Sequence, residues 1–246
     1  MKRSSSAINV RRLAGPPATQ RNHILAALSV VELRRLSSGA ETVNLTSGQV
    51  LYEQGELRRY VYFPTGTYIS QVSSLGGAPR IEVGLVGAEG MVGSSLVFGI
   101  QVAPLHTIVQ GAGSALRLDA PRFLRELARG PALRAVMNRY LYVRLSQLGQ
   151  MAACAHFHTV QERLARWLLM TRDRAQSDAF HITHEYMAFM LGVRRVGVTE
   201  AATLLQKMNL IRYSRGELAI INGDGLEAMS CECYATAERV YREHMD

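Results

Sequence analysis

Two adjacent arginines, Arg194 and Arg195, stand just after a glycine between two apolar stretches in EYMAFMLGVRRVGVTEAATLLQKMNLI, Glu185 to Ile211. A guanidinium is a planar fork of donors that matches guanine O6 and N7, or a phosphate, with two parallel bonds. At the start of a helix such an arginine can reach a base edge while its neighbour holds the backbone. Thr199, Thr203 and Gln206 follow within the same helical period and could add contacts. Arg212 and Arg215 lie just beyond, where they suit phosphates, which add affinity and salt dependence without reading sequence.

Positioning these side chains requires two helices crossing steeply at a short turn. That crossing needs a small residue in the first helix, a turn residue four later and a buried apolar residue six after that. Ala188, Gly192 and Val198 meet the spacing, with Met187, Leu191, Val193, Leu204 and Leu205 as apolar neighbours. Thr183 can cap the first helix, with Tyr186 at its third position. After Ile211, IRYSRGELAII reads as two short strands turning at Ser214-Arg215-Gly216. Upstream, TVQERLARWLLMT (Thr159–Thr171) is amphipathic, placing Val160, Leu164, Trp167 and Leu168 on one side. The order helix, helix, helix, hairpin predicts a winged helix-turn-helix.

The rest of the chain divides by texture. Residues 1–21, with Ser4-Ser5-Ser6 and Gly15-Pro16-Pro17, predict a disordered basic tail. A short helix capped by Asn22 opens the folded part over Ile24 to Leu36. From Glu41 to Leu118 the segments TVNL, QVLYE, YVYFP, TYISQVSS, RIEVGLV, HTIVQ and SALRL alternate with glycine-bearing turns. Such a string predicts short antiparallel strands in a jelly-roll barrel or sandwich. A helix over Arg122–Ala128 breaks at Gly130-Pro131. The next helix runs to about Phe157, roughly 40 Å at 1.5 Å per residue. Its stripe of Met137, Leu141, Leu145, Leu148, Ala152 and Ala155 suits either packing on the barrel or pairing with a second copy. The regularity and the small alanines favour the pair, with Arg144 nearby against it. The expected division is therefore tail 1–21, sensor 22–130, dimerisation helix 131–157 and winged helix 158–246, an α+β chain.

Charge is concentrated where the arginines are. The net charge is +8; residues 1–35 hold seven Lys/Arg against Glu32, and residues 193–215 hold five against Glu200. Two basic patches favour an anionic partner. No apolar run is long enough to span a membrane, and three cysteines, Cys154, Cys231 and Cys233, suit a reducing, cytoplasmic setting. They are too few and too poorly spaced for a disulfide framework or a four-cysteine zinc site. Cys154, His156 and His158 read as helix-end residues, solvated or hydrogen-bonded, and Cys231-x-Cys233 as structural thiols. No metal or cofactor is expected. The histidines form no barrel-type ligand cluster, and no phosphate-binding loop, nucleophile elbow or zinc-protease motif is present, so an enzyme is not expected.

These residues resemble the transcription regulators of the cyclic-AMP receptor and fumarate-nitrate regulator (Crp/Fnr) type over roughly residues 22–225. The most specific part is ITHEYMAFMLGVRRVGVTEAATLLQKMNLI, Ile182–Ile211; AHFHTVQERLARWLL resembles the hinge, GQVLYEQGE and GAEGMVG the turns of the effector-binding β-roll. The resemblance implies an antiparallel β-roll sensor resembling cyclic-nucleotide-binding domains. It further implies a long dimer helix and a homodimer that binds specific double-stranded DNA, with RNA polymerase as a further partner. It places Arg195 at the principal base-reading position. Val196 stands where a glutamate is frequent and Glu200 where a second reading arginine is common, so the preferred half-site should differ from the usual one. The cyclic-nucleotide contacts correspond to Ser94 and Pro104-Leu105-His106, with no arginine between Arg80 and Arg117. A buried phosphate there lacks its charge-assisted partner, so a cyclic nucleotide is not expected and the signal at the β-roll is unidentified. Iron–sulfur members carry cysteines toward the N-terminus, which this chain lacks. The competing expectation is a non-enzymatic adaptor whose winged helix binds protein or another anionic partner.

Overall fold

The computed structural model describes residues 21–74 and 81–246. The expected basic tail, Arg21 apart, and the turn at Leu75-Gly76-Gly77 lie outside the described residues. All seven strand segments form strands: β1 (Glu41–Leu45), β2 (Val50–Tyr52), β3 (Tyr60–Pro64), β4 (Tyr68–Ser73), β5 (Ile81–Val86), β6 (His106–Gly111) and β7 (Gly113–Asp119). They pair antiparallel in two sheets, β1-β7-β3 and β2-β6-β4-β5. Alternation within β3 decides which core each side chain joins, because successive residues point to opposite faces. Tyr62 faces the interior of the roll with Tyr52, Ile69, Val86 and Val109. Val61 and Phe63 face outward, opposite Leu118 and Leu116 of β7, and are covered by helices.

Those helices are α1 (His23–Ala26), α2 (Val30–Ser37), α3 (Ala120–Arg129) and α4 (Pro131–Phe157). The single N-terminal helix expected is two, because Ser29 caps a fresh start by accepting from Glu32 N. Asn22 is fully buried: its side chain caps α1 and donates to the carbonyls of Pro64 and Gly90 at 3.1 and 2.8 Å. Asp119 caps α3, and Glu32 accepts from the exposed first turn of α4 at Ala132 N, 3.1 Å, where the helix dipole favours a carboxylate. A short 3-10 helix, Ser94–Phe98, also packs here.

α4 ends at a hinge, Phe157-His158-Thr159, and a capping box between Thr159 and Glu162 starts α5 (Val160–Ala175). Then come β8 (Ala179–His181), α6 (His184–Leu191), α7 (Arg195–Lys207), β9 (Ile211–Ser214) and β10 (Glu217–Ile220). β8 adds a third strand to the hairpin in the order β8-β10-β9. Leu164, Leu168, Met187, Val198, Leu205 and Leu218 form the core of this half. Two further helices close the chain, α8 (Gly223–Met229) and α9 (Cys233–Met245). α9 runs back along α4, burying Met245 among the helices of the roll and setting the His244 ring tilted against Tyr142 at 4.7 Å.

Along α4 the stripe splits. Met137 is 0% exposed and belongs to the protomer's own core with Phe123, Leu133 and Tyr140. The expectation that it contacts a second copy is corrected: β3 and β7 present an apolar face that α4's first half covers. Further along, where the roll no longer lies beneath the helix, Leu145 is 70% and Leu148 42% exposed, Ala152 and Ala155 are exposed, and Leu141 is intermediate. Arg144 turns away from this stripe to donate to Gln71 Oε1 at 2.8 Å. Among the described residues no helix is long and apolar enough to cross a membrane.

Candidate nucleic-acid interface

Thr183 caps α6 by accepting from Tyr186 N at 3.1 Å. Ala188 and Val198 are buried against each other's helices, and Gly192 turns the chain with φ +62°, a left-handed conformation that glycine adopts without steric cost. The turn also touches the roll: a Cβ on Gly192 would come within 2.8 Å of the Ile81 side chain in β5.

α7 buries Val198, Ala201, Ala202 and Leu205, which leaves one continuous exposed face. Arg195, Val196, Thr199, Glu200, Thr203 and Lys207 occupy it, with Arg194 at the N-cap position making no side-chain cap bond. Thr199 and Thr203 donate back to the Arg195 and Thr199 carbonyls at 3.0 and 2.7 Å, so their methyls and lone pairs, not their protons, face outward. Gln206 departs from the expected role. It is half-buried, and its carbonyl oxygen accepts from Tyr213 N at 2.8 Å, tying α7 to the hairpin.

The hairpin turns through two left-handed residues, Arg215 at φ 52° and Gly216 at φ 88°, the geometry that matches strand twist in tight hairpins. It sets Arg215 at the exposed tip, with Arg212 exposed on β9. Arg194, Arg195, Arg212 and Arg215 have no carboxylate partner among the described residues. His184 packs beneath this edge, stacked on Tyr213 at 4.4 Å with its Nδ1 3.1 Å from Thr199 Oγ1. Burial, then the charge of Arg195, holds its pKa below the usual histidine value. Because Thr199 donates to Arg195 O, the imidazole Nδ1–H is the donor to Thr199.

The helix-turn-helix half is fastened to the roll by polar contacts between residues distant in the sequence. Trp167 Nε1 donates to Glu82 Oε1 at 3.1 Å, and Ser70 Oγ donates to Glu82 Oε2 at 2.6 Å. Glu82 is buried, which raises its pKa above the ordinary carboxylate value despite these bonds. Arg174 pairs with Glu89 at 2.8 Å. Beside these contacts a cavity of about 610 Å³ opens between β5, α4, α5 and α9, with Leu148, Ala152 and Ala155 on its wall. In the roll itself, Ser94 begins the 3-10 helix and His106 is 2.8 Å from Glu53.

The thiols and histidines do not stay apart as expected. Cys154, His158, Cys231 and Cys233 converge, three segments of chain meeting at the hinge, whereas His156 packs on Phe157.

Residues 162–229 match the Crp-like helix-turn-helix domain. Solved structures with the same fold include a transcriptional regulator of the Crp/Fnr family from Eubacterium rectale (15% identity, TM-score 0.66, 85% of this chain and 98% of that one). FixK2 from Bradyrhizobium japonicum (14%, TM-score 0.65, 78% and 98%) and the c-di-GMP-responsive global regulator CLP from Xanthomonas campestris (14%, TM-score 0.61, 78% and 99%) are similar as well. No curated protein sequence matches the chain. The chain thus carries a Crp-like helix-turn-helix domain in a fold shared with Crp/Fnr regulators.

Proposed function

We propose that the protein is a homodimeric, sequence-specific DNA-binding transcription regulator. The observation that carries this is the exposed face of α7, opened by Arg194 and Arg195 and flanked by Arg212 and Arg215, on a Crp-like helix-turn-helix. Such a helix enters the major groove with its N-terminal residues at base edges. Arg195 is the base reader; Arg194, Arg212 and Arg215 hold phosphates; Val196, Thr199, Glu200 and Thr203 shape the local preference. The exposed half of the α4 stripe, Leu145, Leu148, Ala152 and Ala155, is the dimer face. The sensor acts by favouring one placement of the two reading helices, and the contacts of Gly192 and Trp167 with Ile81 and Glu82 of β5 provide a physical link. The reading is not enzymatic.

Selection from random duplexes should return a two-fold site with half-sites about one helical turn apart. Arg195→Ala should then cost about 1 to 3 kcal/mol per half-site and relax preference at one position. Arg212→Ala should weaken all sequences alike and flatten the salt dependence. No enriched site, or an Arg195→Ala protein with unchanged affinity and preference, would refute the reading and favour a protein-binding adaptor.

A further inference from the structure

The Cys/His cluster at the hinge is not used by the proposed DNA interface. Its four candidate ligand atoms all lie within 4.8 Å of one another, and Cys154, Cys231 and Cys233 are buried. Cys154 Sγ is 3.6 Å from Cys231 Sγ, and Cys233 Sγ is 3.6 Å from His158 Nδ1. A tetrahedral ion bound at about 2.3 Å to sulfur and 2.0 Å to nitrogen spaces its ligands about 3.8 Å (S to S) and 3.5 Å (S to N) apart. Two measured edges already have nearly those lengths, and the widest needs to close by at most about 1.3 Å.

The surroundings fit a metal centre better than packed thiols. His158 Nε2 is 3.2 Å from Glu232 Oε1, which leaves Nδ1 toward the sulfurs. A carboxylate on the far nitrogen is the usual device that fixes the tautomer and orientation of a ligating histidine. Three thiolates and one imidazole around a divalent ion carry a net charge of −1. The buried guanidinium of Arg166 lies within electrostatic reach of all three sulfurs, and its Nε has no hydrogen-bond partner in the protein. Arg163, also buried, faces Cys154 and Cys231 while donating to the Leu191 carbonyl.

We propose that Cys154, His158, Cys231 and Cys233 bind one zinc ion in a closed, four-ligand structural site that clasps the hinge. Four protein ligands leave no open position for chemistry. Cys154 belongs to the last turn of α4, His158 to the hinge, Cys231 to the connection before α9 and Cys233 to the first position of α9. The ion therefore joins the dimer helix, the start of the reader half and the C-terminal helix. On binding, the thiols release their protons to solvent.

The test is elemental analysis of full-length protein purified anaerobically with reductant and reconstituted with zinc. About one zinc per protomer is expected, and cobalt in its place should give the thiolate charge-transfer and d–d bands of a tetrahedral site. Cys231→Ser should lose both signals. Glu232→Gln, which leaves all four ligands, should retain the stoichiometry but bind 10- to 100-fold more weakly in competition with a chromophoric chelator. The proposal is overturned if the unmutated protein, which needs no variant to fold, takes up no more zinc than Cys231→Ser. It is equally overturned by iron with acid-labile sulfide in the purified protein, or by a metal-free Cys154–Cys231 disulfide.

Discussion

Gly192→Ala separates two costs that the structure superimposes at one residue. The first is conformational: φ is +62°, and a side chain in the left-handed region costs about 1 to 2 kcal/mol. The second is steric and belongs to another part of the molecule. The new Cβ would lie 2.8, 3.1 and 3.3 Å from Cδ1, Cγ1 and Cβ of Ile81. Rotating the Ile81 side chain removes only the first two contacts, so β5 and the turn must separate slightly, an overpacking cost of about 1 to 3 kcal/mol. The single variant should therefore lose about 2 to 5 kcal/mol. Placed in an Ile81→Ala background, which removes Cδ1 and Cγ1 but keeps Cβ, the same substitution should cost its conformational part and only the remainder of the steric part. Urea unfolding of the four proteins closes the cycle, and the coupling should be at least about 1 kcal/mol in favour of the double variant. Trp167, the only tryptophan in the chain, reports the same interface by fluorescence. Equal costs for Gly192→Ala in both backgrounds would show that the turn does not press on the roll, and the proposed link between sensor and reader would lose this contact.

Glu82→Gln tests the buried carboxyl. Because its native pKa is raised, the native protein binds a proton that the unfolded chain releases above about pH 4.5, and Glu82 loses stability as pH rises from there through the native pKa. The advantage of glutamine should grow over that window in urea unfolding, then level off; a pH-independent difference would place Glu82 in water. Leu145→Asp puts a charge at the centre of the exposed stripe without touching the protomer core. Sedimentation should shift it to monomer and DNA binding should fall to that of one half-site, whereas an unchanged dimer would move the interface elsewhere. His184→Gln should narrow its stability deficit as pH falls below about 6.5, because the depressed pKa makes the native histidine lose stability there relative to the unfolded chain.

What was legible in the sequence followed from local rules. Glycines at short intervals delimited all seven strands of the roll, and Ala188, Gly192 and Val198 located the helix crossing because its close packing is a matter of spacing. What escaped depended on partners distant in the chain. AFH, Ala179–His181, is too short to show alternation and becomes a strand only because β10 offers it an edge. Met137 and Leu145 have the same chemistry and spacing, and only the position of the roll under α4 separates them. Gln206 looked available because its bond goes to Tyr213 in the hairpin. The Cys/His cluster joins residues separated by 77 positions, and α9's return along α4, which has no signature in spacing, brings them together.

The strength of the docking decides what kind of signal can work. Across the junction run the bond from Trp167 to Glu82 and the Arg174–Glu89 pair. The first is worth about 1 kcal/mol, and the second, between two charged groups, adds about 1.5 to 3 kcal/mol. The sum, about 2.5 to 4 kcal/mol, is below the roughly 5.5 kcal/mol of differential affinity that moves an equilibrium from 1:99 to 99:1. One ligand or partner that prefers the undocked arrangement can therefore release the reader half from β5. The tie at the other side of the hinge is of a different order, since a bound ion at Cys154, His158, Cys231 and Cys233 would join α4 to α9 by four coordinate bonds. Release from β5 would then turn the helix-turn-helix half about that clasp instead of freeing it, and Arg195 would move along a constrained arc relative to α4.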